Sequence, residues 1–429
     1  MSGPSLKAWY YVLTSLGTLS SAYYFNFLFF LLQDRFGFGD RENLGVAALH
    51  GLVYVFAAVY GGRFAERRGY DRSLIVGFGG IAVCIGASAL ATSVMGMLVG
   101  VACYTVVLLF IWPALEALVV EGEPPSRVPD RVGVYNCTWS GSIAVAYFTG
   151  GPMYDALGAW AIFGVPAAIA GVAFGIAIWL RQGGGRGHEQ HQTLAGAPPP
   201  ARSRSAPSLR SGPHTPSSSD ARSPAGPHAP SSSDAPSRSG PHEAVRTFFL
   251  RLAWLANPLA YVAIYTLIAV MPGLALRLGL SATEAGIYGS LWFFGRLLAF
   301  VVLWHWTAWH YRFGWLVTGY VAMVVSFVAC LLASSLLVLA VGQVVFGVSV
   351  GLIYYSSLFY SMDVGSAQAE HGGWHEAMIG VGILAGPAVG AMSLRMWPAV
   401  PGAGAIAVTL VLVAGLAAMV GAWRRNRFP

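Results

Sequence analysis

Apolar stretches of about 20 residues recur along this chain, separated by short polar turns everywhere but at one long tract in the middle. At about 1.5 Å rise per residue, each is long enough to cross ~30 Å of hydrocarbon as a helix. Twelve such windows can be drawn: 8–32, 43–62, 73–92, 95–120, 132–153, 158–180, 254–276, 284–304, 313–333, 336–361, 375–396 and 402–423. A backbone in lipid must satisfy its own hydrogen bonds, so each window is predicted to be helical, the seventh interrupted near its end by Pro272 and Gly273. Composition agrees: 56% of residues are hydrophobic and only 10% charged, where a soluble domain carries about 25%. The expectation is an all-α polytopic membrane protein whose outer surface faces the lipid bilayer. The first window is too long for a cleaved signal segment and reads as a retained first helix.

The loop charges orient these helices. With the N-terminus in the cytoplasm, the inside segments hold 20 Lys and Arg and the outside segments 4 (Arg35, Arg41, Arg277, Arg395). Leaving out the long loop between the sixth and seventh windows still gives 11 against 4. Positive charge stays inside, so both termini are placed in the cytoplasm, with the chain in the cell membrane. The net charge of +7 therefore follows membrane topology and does not point to nucleic acid. Cys84, Cys103, Cys137 and Cys330 all lie in apolar segments, without metal-ligand spacing.

The stretch 181–245 is another material. "GPH" recurs at 212, 226 and 240 and "SSSDA" at 217 and 231, a period of fourteen in a Pro/Ser/Gly-rich tract. Such a tract buries no apolar area and is expected to be a disordered cytoplasmic linker. Its histidines (His188, His191, His214, His228, His242) read as solvated linker residues or weak metal ligands. Three regions follow: 1–180 and 246–429, each a six-helix bundle, joined by 181–245. The halves also resemble each other at an offset of 242, where "RSLIVG" at 72–77 meets "GWLVTG" at 314–319 and Glu121 falls over Asp363. Paired bundles of this kind recur in transporters that rock about a midplane site.

Six of the 43 charged residues lie between Gly61 and Arg72, in "GGRFAERRGYDR". Gly62, Ala65, Glu66, Arg67, Gly69 and Arg72 resemble the loop 2–3 signature of the major facilitator superfamily, G-x-[LF]-A-[DE]-R-x-G-[RK]-[RK]. Glu66 stands where Asp is commoner, and Tyr70-Asp71 where basic residues usually stand. The resemblance covers the whole chain in topology and about twelve residues in motif. It implies two pseudo-symmetric six-helix bundles, twelve transmembrane helices and secondary active transport by alternating access. It also implies gating by Gly62, Glu66, Arg67, Gly69 and Arg72, with Glu66 latching near the start of the eleventh helix at Glu376. A carboxylate is favoured at a helix N-terminus. That helix also carries "GILAGPAVG" (382–390), similar to a glycine motif that the family's antiporters often show in helix 5; helix 5 here has only "TGGP". Small residues of this kind also serve close helix packing.

One charge sits inside the apolar run "GSLWFFGRLLAFVV" (289–302). Arg296 is roughly 18 Å from the outer end of the eighth helix, near the midplane. A guanidinium there costs at least ~2.5–3.5 kcal/mol on insertion scales. Counting residues places Glu116 about 30 Å down the fourth helix and Glu376 at the inner rim, so no carboxylate shares the depth of Arg296. Arg296 either bonds the protein's own dipoles, reaches Glu116, or binds an anionic solute group; a guanidinium fork suits a carboxylate or phosphate.

In the helices that line the cavity in this family, polar-tipped aromatics recur: Tyr23, Tyr24 and Asn26; Trp112; Tyr261 and Tyr265; Tyr354 and Tyr355. They are the candidate lining of a wet aromatic cavity for a small amphipathic solute. Glu116 and His50 are the candidates for coupling to a proton, if a proton or another ion drives transport. "EHGGWHE" (370–376) offers His371 and His375 at zinc-binding spacing, but the glycines between them weaken a helix. The expectation is a monomeric transporter of a small, anionic organic solute, without cofactor or resident metal. Three rivals stay open: a proton-driven multidrug-type exporter of hydrophobic cations steered by Glu116, a membrane-embedded metal-dependent enzyme built on the "EHGGWHE" loop, and a non-transporting sensor whose long 181–245 loop binds a partner.

The charge bias makes a direct prediction. A fluorescent-protein fusion at the C-terminus is expected to fluoresce in intact cells and a periplasmic phosphatase fusion there to stay inactive; the reverse pattern would overturn the orientation.

Overall fold

A computed structural model describes residues 3–195, 241–364 and 369–426; for 3–5, 125, 184–195, 241–242 and 362–374 it describes the backbone alone. The helices are α1 (Gly3–Phe36), α2 (Asp40–Arg68), α3 (Tyr70–Ser88), α4 (Val94–Leu108), α5 (Trp112–Val120), α6 (Val128–Leu157), α7 (Ala159–Ala195), α8 (Pro241–Arg277), α9 (Ala282–His305), α10 (Phe313–Leu331), α11 (Leu336–Val364), α12 (Ala369–Met396) and α13 (Ala403–Arg425). There is no strand among the described residues. Eleven spans, counting α4 and α5 as one, are long and apolar enough to cross a membrane. The twelfth is α6, whose 30 residues reach ~45 Å. Its polar residues Asn136 and Ser140 lower its hydropathy, yet both are fully buried among other helices.

Prolines shape two spans differently from expectation. The fourth window, read as one helix over 95–120, breaks at Leu109–Ile111 between α4 and α5. Pro113 lacks an N–H and its ring excludes the carbonyl four residues back, that of Leu109. That carbonyl lies against Gly61 of α2, where any Cβ would collide with it, and the Phe110 carbonyl accepts the Ser73 hydroxyl at 2.6 Å. The seventh window, expected to be interrupted at Pro272 and Gly273, is not: α8 runs unbroken through both Pro258 and Pro272. Neighbouring helices and hydroxyls make such prolines tolerable in a membrane helix.

The spans alternate in direction, so one end of the molecule carries the α2–α3 turn and is called the basic end here. Gly69 makes that turn at φ 94°, a conformation costly for any residue with a Cβ, while its N–H caps α2 on the Ala65 carbonyl at 2.9 Å. Also at the basic end, the Lys7 ammonium donates to the carbonyls of Leu118, Val119 and Glu121 at 3.0, 3.1 and 2.6 Å. A cation on the last carbonyls of α5 matches that helix's dipole.

The spans α1 to α7 form one six-helix bundle and α8 to α13 the other. They meet mainly where α2 packs on α12 and α6 on α9, two contacts exchanged by a two-fold relation between the bundles. Both need small residues. Gly51 of α2 abuts the backbone of Leu384 in α12, and Gly151 of α6 abuts the carbonyl of Ala282 at the start of α9. Within the second bundle, Gly382 and Gly386 of "GILAGPAVG" lie on the carbonyls of Pro258 and Val262 in α8, which is the packing role. Of the stretch expected as linker, α7 reaches Ala195 and α8 starts at Pro241; residues 196–240, with most of the fourteen-residue repeats, lie outside the described residues.

The close packing of α12 is testable. Gly382→Val is expected to destabilise by about 1–3 kcal/mol through overpacking, lowering the thermal unfolding midpoint in detergent, whereas Gly421→Ala, with open space around it, should leave the midpoint unchanged.

Candidate functional site

A cavity of about 170 Å³ opens between the bundles, with room for on the order of ten waters. It is walled by α1, α2, α4, α5 and α6 from the first bundle and α8, α9, α11 and α12 from the second. From α1 come Thr18, Ser21, Ala22, Phe25 and Asn26, spaced as one face of a helix. The other walls bring aromatic rings together with four residues that bear on charge: His50, Glu116, Arg296 and Glu376.

Arg296 is 3% exposed. Its guanidinium stands 4.4 Å from the Trp139 ring and 4.9 Å from the Tyr354 ring, with Phe300 at 5.5 Å and Trp292 at 6.0 Å. Each desolvated contact of this kind is worth up to ~2 kcal/mol, which offsets part of the burial cost. The Trp139 indole is itself held, its Nε1–H donating to Asn136 Oδ1 at 3.0 Å. The Tyr261 hydroxyl lies beside the guanidinium. Arg296 forms no ion pair among the described residues, and its Nε and Nη2 have no hydrogen-bond partner. Aromatic rings thus surround the charge while donor groups on the guanidinium stay unused.

Depth counting had separated Arg296 from every acid, and here the structure differs. Glu116 and Glu376 line the same cavity as Arg296. Residue counts treat helices as straight rods ending in one plane. α12 begins at Ala369 rather than 375, so Glu376 stands seven residues, ~10 Å, inside the helix, and Pro113 breaks the rod that carries Glu116. Glu376, expected at the gate, accepts a hydrogen bond from the Tyr54 hydroxyl. That bond joins α2 of one bundle to α12 of the other.

Of the expected lining, Asn26, Trp112, Tyr261, Tyr265 and Tyr354 are in the cavity wall; Tyr23, Tyr24 and Tyr355 are not. Successive helical residues point about 100° apart, so a Tyr23-Tyr24 pair cannot share the face of Ala22 and Asn26. Tyr23 bonds Thr149 at 2.7 Å, Tyr24 packs on Tyr104 at 4.6 Å, and Tyr355 packs against Phe300 and Trp309. Sequence reasoning missed Tyr54, Trp139 and the α1 face; the spacing 18, 21, 22, 25 was the legible signal for the last. Among the turn residues, Gly62 is buried, while Glu66, Arg67, Gly69 and Arg72 are exposed. The side chains of His371 and of the linker histidines lie outside the described residues; His375 is buried, 6.1 Å from Tyr354. No group of three His, Cys, Asp or Glu among the described residues could hold a metal.

Two bundles related by a two-fold, enclosing a largely apolar, aromatic-walled cavity at their interface, agree with what the α2–α3 turn implies. A model of the Major Facilitator Superfamily matches residues 10–224, half of the chain. The chain belongs to the major facilitator superfamily. No curated protein matches it in sequence. Solved superfamily structures match its fold: a bacterial homologue of the human lysosomal transporter Spinster, inward-facing and unoccupied, at 15% identity and TM-score 0.62, covering 98% of this chain and 95% of that one. The nucleoside transporter NupG matches at 12% identity and TM-score 0.64, covering 97% and 99%. A variant of the peptide transporter POT, in complex with sulfate, matches at 12% and 0.64, covering 99% and 98%. This superfamily member is therefore a multi-pass transporter.

The bond between bundles can be probed. Tyr54→Phe leaves the buried Glu376 without its donor and is expected to cost about 1–3 kcal/mol, read as a lower unfolding midpoint of the purified transporter. Tyr60→Phe, at 62% exposure, should not move it.

Proposed function

We propose that this transporter moves a small amphipathic organic anion across the cytoplasmic membrane by alternating access. The observation that carries the reading is Arg296: buried, surrounded by Trp139 and Tyr354, with Nε and Nη2 unpaired beside a cavity. Donors left unpaired in a buried site cost free energy that a carboxylate or phosphate oxygen would recover. Aromatic walls from Trp112, Tyr261 and Tyr265 suit the apolar body of the same solute. Asn26 adds a neutral polar contact. The turn residues Glu66, Arg67 and Arg72, set by Gly62 and Gly69, act at the gate of the basic end. Glu116, sharing its cavity with Glu376, is the proton carrier if transport is proton-driven.

A second reading has a specific observation behind it. Two carboxylates line the cavity against one guanidinium, so a hydrophobic cation could be the cargo, with Glu116 as its counter-ion.

Binding by thermal shift and flux in proteoliposomes, for aromatic carboxylates against aromatic amines, separates the two. Arg296→Gln is expected to weaken carboxylate binding roughly 10- to 100-fold, the loss typical of a charged hydrogen bond. Glu116→Gln should leave it within a few-fold. If folded Arg296→Gln binds carboxylates like the wild type while Glu116→Gln loses amines, the cation reading replaces the anion one.

A further inference from the structure

His50, a candidate for proton coupling by its residue type, is 1% exposed and lines the cavity. Its hydrogen bonding says otherwise. Nδ1 lies 2.7 Å from the Thr105 hydroxyl. Thr105 donates its single hydrogen to the Val101 carbonyl one turn back, also at 2.7 Å. A carbonyl can only accept, so that hydrogen is spent. The Thr105 oxygen must then accept at His50, and Nδ1 must carry the proton. In the neutral ring this leaves Nε2 with a bare lone pair, and no protein donor among the described residues meets it. The ring is also locked in plane: it stacks on Tyr265 at 5.7 Å and 18°, and sits 4.2 Å from Phe25.

We propose that His50 Nε2 is a fixed hydrogen-bond acceptor for the transported solute, which presents an O–H or N–H donor there while its acid group lies on Arg296. This rests on the anion reading and narrows it. Tyr265 stacks on Tyr261 at 6.4 Å, and Tyr261 adjoins Arg296. An aromatic strip therefore connects an acceptor subsite from α2 with a donor subsite from α9. The solute class that fits is a flat aromatic acid with a hydroxyl or ring N–H away from its carboxylate. Thr105 is a positioning residue: it touches no solute, but sets which ring nitrogen is bare. His50 is thereby taken out of proton transfer.

The test has a ligand-free arm and a binding arm. In ¹⁵N-histidine-labelled protein in nanodiscs at neutral pH, the His50 ring is expected to show a protonated Nδ1 and a bare Nε2, its signals assigned by their loss in His50→Phe. Thr105→Ser should keep that tautomer and Thr105→Val should lose it. A cationic ring or the opposite tautomer in the wild type overturns the proposal. In the binding arm, 4-hydroxyphenylpropionate is compared with its 4-methoxy ether, and indole-3-propionate with its N-methyl derivative. Wild type and Thr105→Ser are expected to prefer the donor-bearing member of at least one pair by roughly tenfold. His50→Phe should erase that preference while leaving the methylated acids within about twofold. A preference that survives in His50→Phe, or acids that bind wild type without any preference, sinks the proposal. Arg296→Gln is run alongside: if it weakens neither member of a pair, the anion reading fails, and the His50 comparison is still read from the ratio within each pair.

Discussion

A guanidinium with its rings drawn from two bundles is the contact on which the centre of this molecule depends. Arg296 and Tyr354 belong to the second bundle and Trp139 to the first. The charge is therefore tolerated only where the bundles meet, because neither supplies the whole aromatic enclosure. Cation–π contact suits such a place better than an ion pair. A carboxylate at Arg296 would fill the guanidinium edge, whereas rings cover its faces and leave Nε and Nη2 without a hydrogen-bond partner.

Close approach of backbones makes the meeting possible. In a bilayer no hydrophobic driving force presses helices together, so packing contacts must do it, and small residues let them. Gly51 against Leu384, Gly151 against Ala282, and Gly382 and Gly386 against α8 are all of this kind. Gly51 fixes α2 on α12 and Gly151 fixes α6 on α9, which holds His50 and Tyr54 on one wall and Arg296 on another, while Gly382 and Gly386 seat α12 on α8. The glycine motif in α12 thus belongs to the scaffold that shapes the cavity rather than to its lining.

Much of the architecture was legible in the sequence for physical reasons. Hydrocarbon thickness sets a span length, so twelve crossings could be counted from apolar windows, and the turn at Gly69 could be read from its motif. The site was harder. Arg296 announced itself because charge is rare in such a chain. The lining did not, since Tyr23 and Tyr24 look alike on paper while only one helical face, that of Phe25 and Asn26, meets the cavity. Depth was misjudged for Glu116 and Glu376 because where a helix begins, and where proline bends it, is decided by tertiary packing. Trp139 was invisible for a similar reason: its partner at Arg296 is 157 positions away and comes from the other bundle.

The placement of polar groups bears on how binding could drive rocking. A ligand shifts a conformational equilibrium only by the difference in its affinity for the two states. A solute held by one bundle alone would ride along with it and bias nothing. A solute bound through Arg296 and His50 has its acid held by α9 of the second bundle and its donor by α2 of the first. Such a solute feels any motion of one bundle against the other at both of its ends, with the Tyr261–Tyr265 strip fixing the span it must match. The bond from Tyr54 to Glu376 crosses the same interface without any solute present, so cargo and protein compete to set the same separation. A solute too short to reach both subsites could still dock on Arg296, but it would leave that balance where the empty protein sets it.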